Sequence, residues 1–121
     1  MEKKKTLLIG ASVNPNRYSY LALNKLIKYG HPVVAIGNRK ATIAGTVIET
    51  EKINFKDIDT VTLYINPGLQ QQYYNYILSL HPKRIIFNPG TENDELEKLA
   101  LKNNIRVQQA CTLVLLGSNQ Y

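Results

Sequence analysis

Thr6-Leu7-Leu8-Ile9-Gly10, followed by Ala11-Ser12-Val13-Asn14-Pro15-Asn16-Arg17, is the stretch that decides the fold. Its apolar run is short and closed by glycine, which marks a strand of a parallel sheet covered on both faces rather than a buried helix. Beyond the loop, Tyr20, Leu23, Leu26 and Ile27 recur at helical spacing over Ser19 to Tyr29. Gly30 stands where a helix ends in left-handed backbone. Strand, loop and amphipathic helix in that order begin a βα unit.

The same signals repeat outward from this unit. Val33-Val34-Ala35-Ile36 reads as a second strand entered through His31-Pro32, and Thr46-Val47-Ile48 suits a short edge strand. Residues 49–60 are polar and poorly patterned. Val61-Thr62-Leu63-Tyr64-Ile65 and Arg84-Ile85-Ile86-Phe87 are further strands, separated by a helix whose inner face is Leu69, Tyr73, Ile77 and Leu80. A third helix is marked by charge: Asp94, Glu95 and Glu97 near its start and Lys98 and Lys102 near its end complement the helix dipole. Its inner face is Leu96, Leu99 and Ala100. Ile105-Arg106-Val107 closes the sheet, and Thr112 to Leu116 packs on the core as a short helix or turn. The alternation predicts an α/β, Rossmann-like three-layer sandwich with a mainly parallel sheet of about five strands, in one domain over residues 1–121.

Composition narrows the function. A length of 121 residues leaves room for one domain and excludes a second, substrate-bearing one. The apolar fraction of 44% and charged fraction of 20% are those of a chain that buries a core. Part of the net charge of +6 sits in Lys3-Lys4-Lys5, and no helix carries a basic stripe, so a small anionic ligand is expected rather than nucleic acid. Cys111 is the only cysteine, which excludes an internal disulfide. No segment approaches the roughly 18 apolar residues of a membrane span. The expected location is cytoplasmic, away from membranes, with any protein partner left open.

In such a sheet ligands sit outside the carboxyl ends of the strands, so the loops after Gly10, Ile36, Ile65 and Phe87 are expected to converge. The first loop opens a helix, where backbone N–H groups and the helix dipole favour phosphate. It lacks the spacing G-x-G-x-x-G, but Ser12 offers a hydroxyl and Arg17 a planar fork suited to phosphate oxygens. After the second strand, Gly37-Asn38-Arg39-Lys40 places two cations where a free ribose would call for an acid, which favours a phosphorylated ribose. Catalytic equipment is sparse. His31 and His81 precede prolines at helix exits, away from the ligand loops, and read as loop or capping residues. Glu92 reads as a first-turn acid of the third helix. No set of residues has metal-ligand spacing. Cys111 follows the last strand, placed for either the crevice or the core, with no base in view.

Gly10-Ala11-Ser12 with Pro15 and Arg17, Gly30, Gly45, Asn88-Pro89-Gly90 with Glu92-Asn93, and Cys111 together resemble the CoA-binding domain family. The resemblance spans nearly the whole chain and is to small stand-alone bacterial members, related to the nucleotide-binding domain of the succinyl-CoA synthetase alpha subunit. It implies noncovalent binding of coenzyme A or an acyl-CoA by a small non-catalytic module. Gly10, Ser12 and Arg17 would then lie near the phosphates, with Ala11 and Pro15 of the same loop also in the binding site, and Asn38, Arg39 and Lys40 near the adenosine end. Ile65, Asn66 and Pro67 would flank the adenine or pantetheine, and Asn88, Pro89 and Gly90 would complete the site. Two alternatives stay open: an NADP-binding or redox-responsive oxidoreductase-like protein, and an adaptor for protein or nucleic acid.

Overall fold

The computed structural model of the chain describes residues 2–121. β1 (Thr6–Ala11), β2 (Val33–Gly37), β3 (Ala41–Ile43), β4 (Thr46–Glu49), β5 (Thr60–Leu63), β6 (Arg84–Phe87) and β7 (Arg106–Gln109) form one sheet in the order β3-β4-β2-β1-β5-β6-β7. Every neighbouring pair is parallel except the antiparallel pair β3–β4. The sheet is thus α/β and mostly parallel, with seven strands where the sequence suggested about five. Thr46–Glu49 is not the edge, because Ala41–Ile43 folds back on it. That three-residue strand is too short to show a period, and pairing is set by the turn between, where Ala44 and Gly45 take φ of 49° and 84°.

Period-two alternation divides the core between two faces. Leu7 and Ile9 of β1 cluster with Val61, Leu63, Ile85 and Phe87 beneath Ile77, Leu96 and Ala100. Leu8 clusters with Ala35, Ile48 and Ile86 beneath Ala22, Leu23, Leu26, Leu115 and Leu116. One layer is therefore α1 (Tyr18–Lys28) with α5 (Thr112–Gly117), and the other is α3 (Tyr74–Ser79) with α4 (Asp94–Lys102). Of the expected inner face of α1, Leu23 and Leu26 are buried, while Tyr20 and Ile27 are half-buried and Ser19 and Ala22 complete the face. Acids open α4 and Lys102 closes it, as its charge pattern predicts. Its N-cap is Asn93, whose Oδ1 accepts from the N–H groups of Glu95 (3.1 Å) and Leu96 (3.2 Å).

The helix between β5 and β6 departs from expectation. It is broken into α2 (Pro67–Gln70), a 3₁₀ turn (Gln71–Tyr73) and α3. The tighter turn breaks the 3.6-residue phase, so Leu69 is 48% exposed while Gln70 is fully buried. Gln70 is held by its amide: Nε2 donates to the carbonyls of Ile65 (2.9 Å) and Thr91 (2.8 Å), and Oε1 accepts from Asn93 Nδ2 (2.9 Å). These bonds tie the loop after β5 to the loop after β6.

At the opposite, amino end of the sheet, His31 is buried against Tyr121, with ring centroids 4.8 Å apart, and its Nδ1 accepts from the Lys4 N–H at 2.9 Å. Burial, with Lys3, Lys4 and Arg84 nearby, holds the imidazole below its ordinary value of 6.5. The unfolded chain therefore binds more protons than the native state as pH drops below 6.5, and stability is expected to fall there with a slope of at most about 1.4 kcal/mol per pH unit. His31→Gln removes this slope in urea titrations between pH 7 and 5. Parallel stability–pH curves for the two proteins would assign the titration to another group.

Candidate functional site

The chain passes from β1 to β2 on one side and later enters β5 on the other, so the loops part at β1 and leave a crevice at the carboxyl edge. A cleft of about 730 Å³ lies there, lined from the loops after β1, β2, β5 and β6 together with the start of α1. This volume is in the range of small-molecule and cofactor sites. The four loops converge as their strand positions require.

Gly10 sets the first loop. The β1–β2 register runs Ile9↔Ile36 and then Ala11↔Gly37, so Gly10 is a bulged residue, with φ of 101°. A Cβ there would lie 2.8 Å from the Tyr64 carbonyl oxygen and 2.9 Å from Ile65 Cγ2. Only glycine lets the first loop run this close to the loop after β5. Downstream, the Asn14 N–H donates to Ser12 Oγ (3.1 Å), the Asn16 N–H to Asn14 Oδ1 (3.0 Å), and the Arg17 N–H to the Asn14 carbonyl (3.0 Å). The turn delivers Arg17 to the N-cap of α1.

Of the expected site residues, Gly10, Ala11, Ser12, Arg17, Asn38, Arg39, Ile65, Asn66, Pro89 and Gly90 line the cleft. Pro15, Lys40, Pro67 and Asn88 do not. Pro15 sits on the exposed outer turn, and Pro67 is the first residue of α2, behind the cap formed by Asn66 Oδ1 on the Leu69 N–H (3.1 Å). Lys40 Nζ lies 3.4 Å from Glu49 Oε1 on β4. Asn88 is buried and faces inward: Nδ2 donates to Thr62 Oγ1 (2.7 Å) and the Leu63 carbonyl (2.9 Å), and Oδ1 accepts from the Thr112 N–H (2.9 Å). It joins β5, β6 and α5 beneath the site. Cys111, half-buried at the N-cap of α5, is not among the lining residues.

Sequence reasoning missed Val13, Tyr18, Tyr64, Leu69 and Tyr73, which also line the cleft. For Leu69 the signal was misleading, since uniform helical spacing placed it on a core face; Tyr73 packs against the core as that spacing implies and also reaches the cleft. Tyr18 was missed because the helix was read as starting at Ser19, whereas α1 begins at Tyr18, at the mouth of the cleft.

Electrostatically, Arg17 and Arg39 are the only charged residues in the lining, and no carboxylate, imidazole or thiol joins them. Among the described residues, neither guanidinium has an ion-pair partner; the one such pair is Lys40–Glu49. Two uncompensated cations across a partly enclosed cleft attract an anion more strongly than on open surface, because the walls exclude water. Burial pushes the Tyr64 phenol well up, so it stays protonated at neutral pH. Among the described residues no group of three or more His, Cys, Asp or Glu is arranged to hold a metal ion, and no helix is long and apolar enough to cross a membrane.

Comparison with known proteins agrees with this geometry. A crystal structure of an uncharacterized protein matches over the full length of both chains, at 48% identity and a TM-score of 0.97. A hypothetical protein from Pyrococcus horikoshii is 22% identical over 98% of this chain and 84% of its own, with a TM-score of 0.87. A dinucleotide-forming acetyl-coenzyme A synthetase from Ca. Korarchaeum cryptofilum, in complex with phosphate and ADP, is 18% identical over 88% of this chain but 25% of its own, with a TM-score of 0.71. The last two likenesses concern the fold alone. No curated protein matches the sequence. The family model of the CoA binding domain matches residues 4–117, nearly the whole of the fold just described, and the chain belongs to that family.

Proposed function

We propose that the chain binds coenzyme A, free or acylated, noncovalently along the carboxyl edge of its sheet, as a binding module without chemistry of its own. The observation that carries this reading is the cleft lined by two unpaired guanidiniums and no carboxylate, with Arg17 at a helix start and Arg39 at the end of β2. Arg17 suits the diphosphate, which meets the first loop and the dipole of α1. Arg39 suits the ribose 3′-phosphate, while Asn66 and Ile65 flank the adenine or pantetheine. Lys40, paired with Glu49, contributes at most to the surrounding potential.

A second reading draws on the same arginine. Arg39 at the end of β2 would also suit the 2′-phosphate of NADP. Titration calorimetry with coenzyme A, dephospho-coenzyme A and NADP separates the readings. Coenzyme A is expected to bind roughly tenfold more tightly than its dephosphorylated form, the low end of what hydrogen bonds to a charged group contribute when partly exposed to water. Arg39→Ala should abolish that preference, while Arg17→Ala should weaken both ligands alike. Equal affinity of the unmodified protein for the two forms would overturn the Arg39 assignment, and binding of NADP in preference to coenzyme A would overturn the leading reading.

A further inference from the structure

Seven large apolar side chains are well exposed among the described residues, and three of them, Val13 (52%), Tyr18 (72%) and Leu69 (48%), belong to the lining of the one cleft just described. Exposed apolar residues scattered singly need no explanation, but their convergence on a cavity mouth does. They come from three separate elements. Val13 is on the loop over β1, Tyr18 begins α1 in one helical layer, and Leu69 lies on α2, whose neighbours pack against the opposite face.

Strand order also grades the cleft from cationic to apolar, because no charged residue of the lining follows β5. Arg39 follows β2, Arg17 shares the segment after β1 with Val13 and Tyr18, and Leu69 lies on α2 after β5, one strand further along. The partly buried Tyr73, at the end of the 3₁₀ turn that follows α2, also lines the cleft. A ligand matched to both ends is an anion at one end and a hydrocarbon at the other. Free coenzyme A ends in a small thiol and brings no hydrocarbon chain to the apolar end.

We propose that Val13, Tyr18 and Leu69 form a seat for the apolar acyl group of an acyl-CoA, so that the preferred ligand is a thioester carrying several methylenes. This rests on the coenzyme A reading and assigns specificity within that site. Complete burial of one methylene corresponds to about a fourfold gain in affinity, and on a half-open rim roughly twofold is expected. From acetyl-CoA to hexanoyl-CoA, four methylenes longer, affinity should therefore rise about sixteenfold.

Titration calorimetry of the full chain with coenzyme A, acetyl-CoA, butyryl-CoA and hexanoyl-CoA tests this, each below its micelle-forming concentration. In Val13→Ser and Leu69→Ser, both exposed positions where folding is little affected, the hexanoyl-to-acetyl ratio should drop toward one in each protein. Leu101→Ser, which removes an equally exposed leucine from the outer face of α4, should leave the ratio intact. A flat series in the unmodified protein, or a ratio lowered as much by Leu101→Ser as by Leu69→Ser, would overturn the acyl seat while leaving coenzyme A binding standing. Failure of coenzyme A and all three thioesters to bind would overturn both.

Discussion

Asn88→Leu is expected to destabilise the fold by roughly 4 kcal/mol, because it leaves the buried Thr112 N–H and Leu63 carbonyl without their partner, at about 1–3 kcal/mol each. Thr62 keeps its bond to Thr112 Oγ1 at 2.8 Å and adds little to the loss. Leucine has the same branched heavy-atom outline as asparagine and is bulkier, so no cavity forms and the lost hydrogen bonds are the main cost. In a domain whose whole stability is about 5–15 kcal/mol this is a large fraction, and the melting temperature should fall on the order of 15 °C. Urea unfolding measures it directly. Were Asn88 a ligand contact, as the resemblance implied, the variant would instead keep its stability and lose affinity. Unchanged unfolding would therefore remove the network from its structural role.

Gly10→Ala is expected to cost about 3 kcal/mol and at least tenfold in affinity for coenzyme A. Positive φ contributes about 1–2 kcal/mol for a residue with a Cβ, and the remainder comes from forcing that atom against the Tyr64 carbonyl. The carbonyl cannot swing aside cheaply, since the Tyr64 N–H is bonded to the Ile9 carbonyl at 2.9 Å across the same junction. Relief must come from moving the first loop away from the loop after β5, which displaces Arg17 relative to Ile65 and Asn66. Gly45→Ala is the control: its φ of 84° is also positive, but no atom lies within 4 Å of the added Cβ. It should lose only about 1 kcal/mol and bind normally. Equal losses in the two variants would mean that backbone strain, not the close approach, governs Gly10.

Residues whose role depends on local pattern were legible in the sequence. The β1 run, the Leu23 and Leu26 face of α1, the charged ends of α4 and the short α5 all follow from spacing or dipole, and each stands in the fold as read. So did the convergence of four loops, because a parallel sheet presents the carboxyl ends of its strands on one edge. Two errors have a common origin. Leu69 was assigned inward and Ala41–Ile43 was given no strand, and in both a turn reset the phase that periodicity assumes.

Spacing along the chain determined that this protein is a parallel α/β sandwich with a phosphate-suited loop and a cation after the second strand. Tertiary structure alone decided which side chains face the ligand. Arg39 enters the cleft and adjacent Lys40 goes to Glu49; Asn88 turns inward while Pro89 and Gly90 line the wall. The reason is physical: a periodic pattern records whether a side chain meets core or water, which is an averaged property of an element. The partner that a loop residue finds depends on bulges, turns and hydrogen bonds made with chain dozens of residues away.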